Sequence, residues 1–350
     1  AIIWNTIHTG KGRYKHGILD FYNIALPALD TPVYPKHRTS LREIVNILDR
    51  FGIVEMVGIN ATMARVRPVW DIVSEHGLST GVVGGYMTWP AMQAVDGFIL
   101  AEPAYPRFLR GNEVQSYAYP PTMKAYFTDI SKRSEPLDTE LAWKDAFLQE
   151  YIESKQQPDY LQIFIHEPDM IQHVHWSWIE PDDYPASRSA DRDPADNPIY
   201  ATYRELDAFL GRLLEWLEPE TNLIIISDHG FGATFWHGKG GTGLPIEGAH
   251  RWCPPGIVIL HGPAFQKGVR YDEMSVHDVT PTILALHGLP IGEDMDGYPP
   301  EPVMTSEFKA THPIRTIRTY ERGGSGTEGG REASPDNKET IDELKSLGYL

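Results

Sequence analysis

An aspartate and a histidine four residues apart, Asp169 and His173 in Glu167-Pro168-Asp169-Met170-Ile171-Gln172-His173, open the case for metal chemistry in this sequence. On a helical turn, positions i and i+4 share a face, so a carboxylate and an imidazole at that spacing can hold one ion. A second pair, Asp228-His229, directly follows the apolar run Leu223–Ser227 and precedes Gly230, which permits a sharp backbone turn. His250 stands in a glycine-rich stretch just before another apolar run. Arg251 beside it carries a planar fork suited to a phosphate oxygen, or equally to a surface ion pair. His277-Asp278 precedes an apolar helix and reads as capping, because a carboxylate suits the positive end of the helix dipole. Each piece alone has a plain reading: Asp-x-x-x-His is common by chance, Asp-His-Gly can end a strand, and a loop histidine needs no ligand.

The elements that must position these groups alternate. Ser40–Phe51 and Val66–His76 carry helical apolar stripes, and Ile199–Leu217 is a strong helix with Tyr203, Leu206, Leu210, Leu213 and Leu217 near one face. Ser79–Gly84, Tyr160–Ile165, Leu223–Ser227 and Gly256–Leu260 read as short apolar strands. Continuous apolar strands between helices predict a mainly parallel sheet covered on both faces, in a three-layer α/β/α arrangement. Sites in such sheets lie at the carboxyl ends of the strands. Residues 2–9 read as one or two helical turns stopped near Gly10, and residues 11–40 as loop.

Composition narrows the function. Lys plus Arg number 31 against 48 Asp plus Glu, for a net charge of −17, which excludes the basic footprint of a nucleic-acid binder. Cys253 is the single cysteine, so neither an internal disulfide nor a cysteine-rich zinc site exists. No run of eighteen apolar residues predicts a membrane span. The chain begins on Ala1 without a basic leader pattern and reads as a fragment or a processed chain, leaving the compartment open.

The ordered set goes further than any one motif. Asp-x-x-x-His, then Asp-His-Gly, then a histidine, then DVTPTILALHGLPIGEDMDG together resemble the alkaline phosphatase superfamily, in its type I phosphodiesterase/nucleotide pyrophosphatase-like branch. TGKGRYKHGILDF, VWDIVSEHGLSTGVVGGYMTWPA and the tail LKSLGYL are similar to segments of the same family, so the resemblance covers nearly the whole chain. It implies two divalent metals, zinc or alternatively manganese, roughly 4 Å apart around one phosphoryl group. Asp169, His173 and His250 would hold one metal, and Asp228 and His229 the other, with a further Asp from the first strand and the nucleophilic Ser or Thr. The nucleophile position falls immediately before Ala1, so the first strand is expected to be missing and the chain as given to lack phosphodiesterase turnover. Thr6 and Thr9 lie one or two turns into the helix, away from that position.

Composition and local pattern set the expected organisation. Residues 1–320 are expected to form the α/β domain, with 85–135 as an irregular aromatic loop insertion near the site; 322–335 is expected to be a flexible linker, and 336–350 a terminal helix and tail, the helix docking weakly or not at all. The expected partner is a small phosphorylated substrate, with no nucleic-acid polymer. Two other readings stand beside hydrolysis of phosphate diesters or nucleotide pyrophosphates: a sulfatase- or phosphomonoesterase-like hydrolase, and an inactive fold kept for binding.

Overall fold

The computed structural model describes residues 1–25, 39–91, 95–102, 117–123, 139–154, 157–184, 192–234, 246–250, 253–321 and 337–346. In chain order the elements are α1 (Ile2–Thr9), α2 (Arg13–His16), β1 (Tyr22–Ala25), α3 (Thr39–Arg50), β2 (Glu55–Gly58), α4 (Val69–Glu75), β3 (Thr80–Val83), β4 (Gly97–Leu100) and β5 (Ala118–Tyr119). There follow α5 (Glu140–Ser154), β6 (Tyr160–Ile163), α6 (Glu167–His175), α7 (Pro198–Trp216), β7 (Leu223–Ile226), β8 (Gly232–Ala233), β9 (Gly248–Ala249), β10 (Val258–His261), α8 (Val279–Leu286), α9 (Ser306–Thr311) and α10 (Asn337–Ser346).

The central sheet has the order β5-β4-β3-β6. β3 runs parallel to both β4 and β6, with Val82 opposite Ile99 and Gln162, and only β5 is antiparallel. Successive side chains point to opposite faces, and both faces are covered. Val82, Ile99 and Tyr160 pack on Val69, Trp70 and Val73 of α4 and Leu284 of α8. Val83, Phe98 and Leu100 pack on Leu141, Phe147 and Tyr151 of α5 and Phe209 of α7. The result is the three-layer α/β/α arrangement with a mostly parallel sheet. Phe147 alone, wholly buried, contributes about 1.5–3 kcal/mol by leaving water.

Local chemistry sets the helix starts. The Asn197 side chain accepts from the amides of Ile199 and Tyr200, and Pro198 begins α7. Ser275 and Asp278 form a capping box ahead of α8, as the His277-Asp278 reading expected.

Four expectations are corrected. The apolar strands at 223–226 and 258–261 do not join the central ladder among the described residues; they pair antiparallel with each other, Ile225 opposite Ile259. Residues 85–135 are not wholly irregular, since β4 and β5 belong to the sheet; residues 92–94, 103–116 and 124–135 lie outside the described residues. Residues 11–40 contain α2 and β1 as well as loop, and 26–38 are outside the described residues. The stripe of α7 that meets the core is Ile199, Thr202, Leu206 and Phe209, while Tyr203 is exposed.

The terminal helix docks, contrary to expectation. Ile341 is buried with Tyr22, Ile24, Val45, Val54 and Met56. The Asn337 side chain accepts from the Gly58 amide and donates to the Met56 carbonyl, both at 2.7 Å. The linker expected at 322–335 lies outside the described residues.

Two buried lysines tie distant segments together. Lys11 reaches Asp294 at 2.7 Å and Glu321 at 2.8 Å. Nearby, the Gly12 amide donates to Asp296, and Thr280 of α8 donates to the Ile7 carbonyl. Lys144 of α5 contacts Glu140, Glu102 at 3.3 Å and the Phe164 carbonyl at 2.6 Å. Burial opposes its charge, but the two carboxylates outweigh that cost and raise its pKa. No helix among the described residues is long and apolar enough to cross a membrane.

Candidate metal centre

The loops after β6 and β7 bring the sequence-selected residues to one place. β6 leads into α6, where Asp169 and His173 lie one turn apart with Nε2 and Oδ2 separated by 3.6 Å. β7 leads into Asp228 and His229, 3.5 Å apart at Nε2 and Oδ2. His229 Nε2 is 3.9 Å from Asp169 Oδ1, so the two loops meet. His250, just after β9, places Nε2 3.0 Å from both Asp169 Oδ1 and His173 Nε2. Its ring stacks on His229 at 3.9 Å between centroids. Candidate ligand atoms of Asp169, His229 and His250 all fall within 4.8 Å of one another.

Two backbone carbonyls orient the rings. His173 Nδ1 is 2.8 Å from the Gly248 carbonyl, and His229 Nδ1 is 3.0 Å from the Gly230 carbonyl. A carbonyl only accepts, so each Nδ1 carries the proton and each Nε2 offers a lone pair toward Asp169. Lone pairs therefore face a carboxylate, an acceptor-rich arrangement that a divalent cation neutralises. On donor chemistry the residues fit such an ion: imidazole nitrogen and carboxylate oxygen are the ligands zinc takes at catalytic sites.

The electrostatics follow from burial. Burial would raise the Asp169 carboxyl, but hydrogen bonds from His166 and His250 and the nearby His173 hold it well below the usual carboxylate range. Burial pushes His173 down to about 4, with the Asp169 charge acting against it. The Ala1 end of α1 also lies here. Ala1 is buried there.

Two glycines are required by close approach. A β-carbon at Gly248 would sit 2.6 Å from the Gln172 carbonyl oxygen and from the Phe231 ring. One at Gly230 would lie 2.5 Å from the Pro254 carbonyl oxygen, so crowding rather than a left-handed turn selects glycine there. Glu247 fastens the same strand to α6: its amide donates to the His173 carbonyl at 2.7 Å, and its carboxylate accepts from the Ser177 amide at 3.0 Å.

Other predicted residues go elsewhere. Arg251 lies outside the described residues. Thr6 bonds to the Ile2 carbonyl and the His16 ring, and Thr9 to the Asn5 carbonyl, so both hydroxyls are engaged within the helical segment. Sequence reasoning gave no role to His166, whose Nε2 lies 3.4 Å from Asp169 Oδ2, or to Phe231, whose ring centroid is 4.9 Å from that of His173 and 5.1 Å from that of His250. His166 had a usable signal, the i,i+3 spacing to Asp169 at a helix start; Phe231 had none beyond following Asp-His-Gly.

The family model for Type I phosphodiesterase / nucleotide pyrophosphatase matches residues 1–242. Human arylsulfatase K is 27% identical over 124 residues, 34% of this chain. The chain spans 22% of that relative's length. Among solved structures, murine ectonucleotide pyrophosphatase / phosphodiesterase 5 superposes with a TM-score of 0.48 at 13% identity, covering 86% of this chain and 87% of its own.

Proposed function

The chain belongs to the Type I phosphodiesterase / nucleotide pyrophosphatase family, and from that premise we propose that it is a metal-dependent hydrolase of phosphodiester or nucleotide pyrophosphate bonds. Asp169, His173 and His250 would hold one divalent ion, and Asp228 with His229 would hold part of a second. Zinc suits this nitrogen-rich donor set best, with manganese the alternative. When bound, such ions withdraw charge from phosphoryl oxygens and lower the pKa of a coordinated hydroxyl. The protein's part is to hold the imidazoles with Nε2 inward, through Gly248 and Gly230. The Ser or Thr nucleophile would precede Ala1, which is buried at the start of α1.

The single observation that supports the reading most is the convergence of Asp169, His229 and His250 from three separate segments. The test is metal analysis of the protein extended upstream of Ala1, followed by a panel of p-nitrophenyl mono-, di- and sulfate esters. Metal-dependent cleavage of the diester, abolished in Asp169→Asn, is the expected result. The likeness to arylsulfatase K favours a second reading, sulfate-ester hydrolysis, and preferential cleavage of the sulfate ester would establish it instead. Metal binding with no turnover of any ester would favour a binding role.

A further inference from the structure

The Asp169 carboxylate has two sides. Oδ1 faces His250 at 3.0 Å and His229 at 3.9 Å, toward the proposed ion. Oδ2 lies 3.4 Å from His166, and 3.6 Å from His173, the third proposed ligand of that ion. We propose that His166 is a positioning residue: its Nε2–H donates to Asp169 Oδ2 and so turns Oδ1 toward the ion position. The inference rests on the metal reading above. It adds a residue outside the proposed ligand set, one that donates to the carboxylate from the side away from His250.

The fold holds His166 rigidly for this task. It is the residue before α6, and its carbonyl accepts from the amides of Asp169 and Met170, which fixes the turn between the two side chains. The ring lies stacked with Phe164, 5.9 Å between centroids at 28°, and edge-on to Tyr86 at 6.1 Å. The His166 amide donates to Glu140 Oε1 at 3.3 Å. Glu140 is in turn paired with Lys144, whose Nζ also holds the Phe164 carbonyl at 2.6 Å. A buried ion pair under the sheet end thus anchors the backbone on both sides of Ile165, and the ring above it meets Asp169. A carboxylate free to rotate offers either oxygen to an ion; one pinned at Oδ2 offers only Oδ1 in a fixed direction. Partners of this kind behind a metal ligand are typically worth about 10–100-fold in metal affinity.

The test uses zinc affinity, measured by competition with a chromophoric chelator, in the full chain and three variants, with the melting temperature of each metal-free protein beside it. His166→Phe keeps an aromatic ring against Phe164 and Tyr86 but has no donor. His166→Gln restores an N–H at about the reach of Nε2. Asp169→Asn reports on the site itself. The expected result is an affinity about 10–100-fold weaker in His166→Phe, within about threefold of the parent in His166→Gln, and an unchanged melting temperature in both. Parent-like affinity in His166→Phe, or equal weakening in both His166 variants, would overturn the positioning role. No zinc binding by the parent, or equal binding by Asp169→Asn, would instead overturn the metal reading on which it rests.

Discussion

His173 donates its Nδ1–H to the Gly248 carbonyl at 2.8 Å, so the ring that lines the site and the strand that leads to His250 are one mechanical unit. The Glu247 amide bonded to the His173 carbonyl doubles the link. A disturbance of this strand therefore reaches two proposed ligands at once.

Gly248→Ala tests that unit. The added methyl would meet the Gln172 carbonyl oxygen and the Phe231 ring at 2.6 Å. Overpacking of this kind costs about 1–3 kcal/mol, and the strand must shift away from α6 to relieve it. The expected outcome is a melting temperature lower by about 5 °C together with weaker zinc binding. Weaker stability with unchanged zinc affinity would show that His173 and His250 do not depend on the strand.

Metal addition should stabilise the fold. An ion that binds only the folded chain adds about 2.7 kcal/mol at a hundredfold excess over its dissociation constant. Zinc is expected to raise the melting temperature of the parent, and a chelator to reverse the rise. In Asp169→Asn, where the residue central to the cluster loses its charge, the rise should vanish.

Acid should destabilise through two buried histidines that are not candidate ligands. Burial pushes His8 down to about 3. Burial, then His277, pushes His16 down to about 4. Both stay neutral when folded, whereas the unfolded chain binds protons below about 6.5. The unfolded state holds more protons across this window. Stability is therefore full above pH 6.5 and falls as pH drops toward 4, by up to about 1.4 kcal/mol per pH unit for each histidine. In His8→Phe, which keeps a ring against Trp70, denaturant midpoints between pH 4.5 and 6.5 should show a slope smaller by about one proton.

Lys144→Met should be among the more damaging single changes. It leaves Glu102 and Glu140 without their shared cation. Breaking a buried pair by removing one partner costs about 3–5 kcal/mol. Thermal unfolding is expected to shift down by about 10 °C, and the double change with Glu140→Gln should recover part of the loss.

Removing residues 322–350 should destabilise the protein. Ile341 leaves an apolar cluster, and the Gly58 amide and Met56 carbonyl lose Asn337. The combined loss is about 2–3 kcal/mol. A melting temperature unchanged on truncation would mean that α10 is not held by these contacts.

Much of the site could be read before the fold was known, for physical reasons. Asp169 and His173 sit at helical spacing after an apolar strand, and Asp228-His229 ends another, so local periodicity alone put both at strand ends. Pairing was less accessible. The Leu223–Ile226 run carries no mark of its partner, because any apolar strand satisfies its side chains equally; only the fold shows the antiparallel match with Val258–His261. β4 hid among loop residues because four residues give too short a period to recognise. The α7 stripe was misplaced by about one residue because a broad apolar face admits neighbouring wheels. α10 was undervalued because one buried isoleucine and two asparagine hydrogen bonds have no periodic signature. His166 lacked a role because its partner oxygen exists only once the helix turns.

The Lys11 clamp also sets a schedule for biosynthesis. Lys11 and Asp294 are 283 positions apart, and the Gly12–Asp296 and Thr280–Ile7 bonds span 284 and 273 positions across the same seam. At about 5–20 residues per second of translation, the first helix waits on the order of fifteen to sixty seconds for the residues that receive it. Throughout that interval Ile7, later buried, has no destination. Seating of α1 is thus a late event, and until residues 280–296 emerge the nascent chain exposes a helix whose partners do not yet exist.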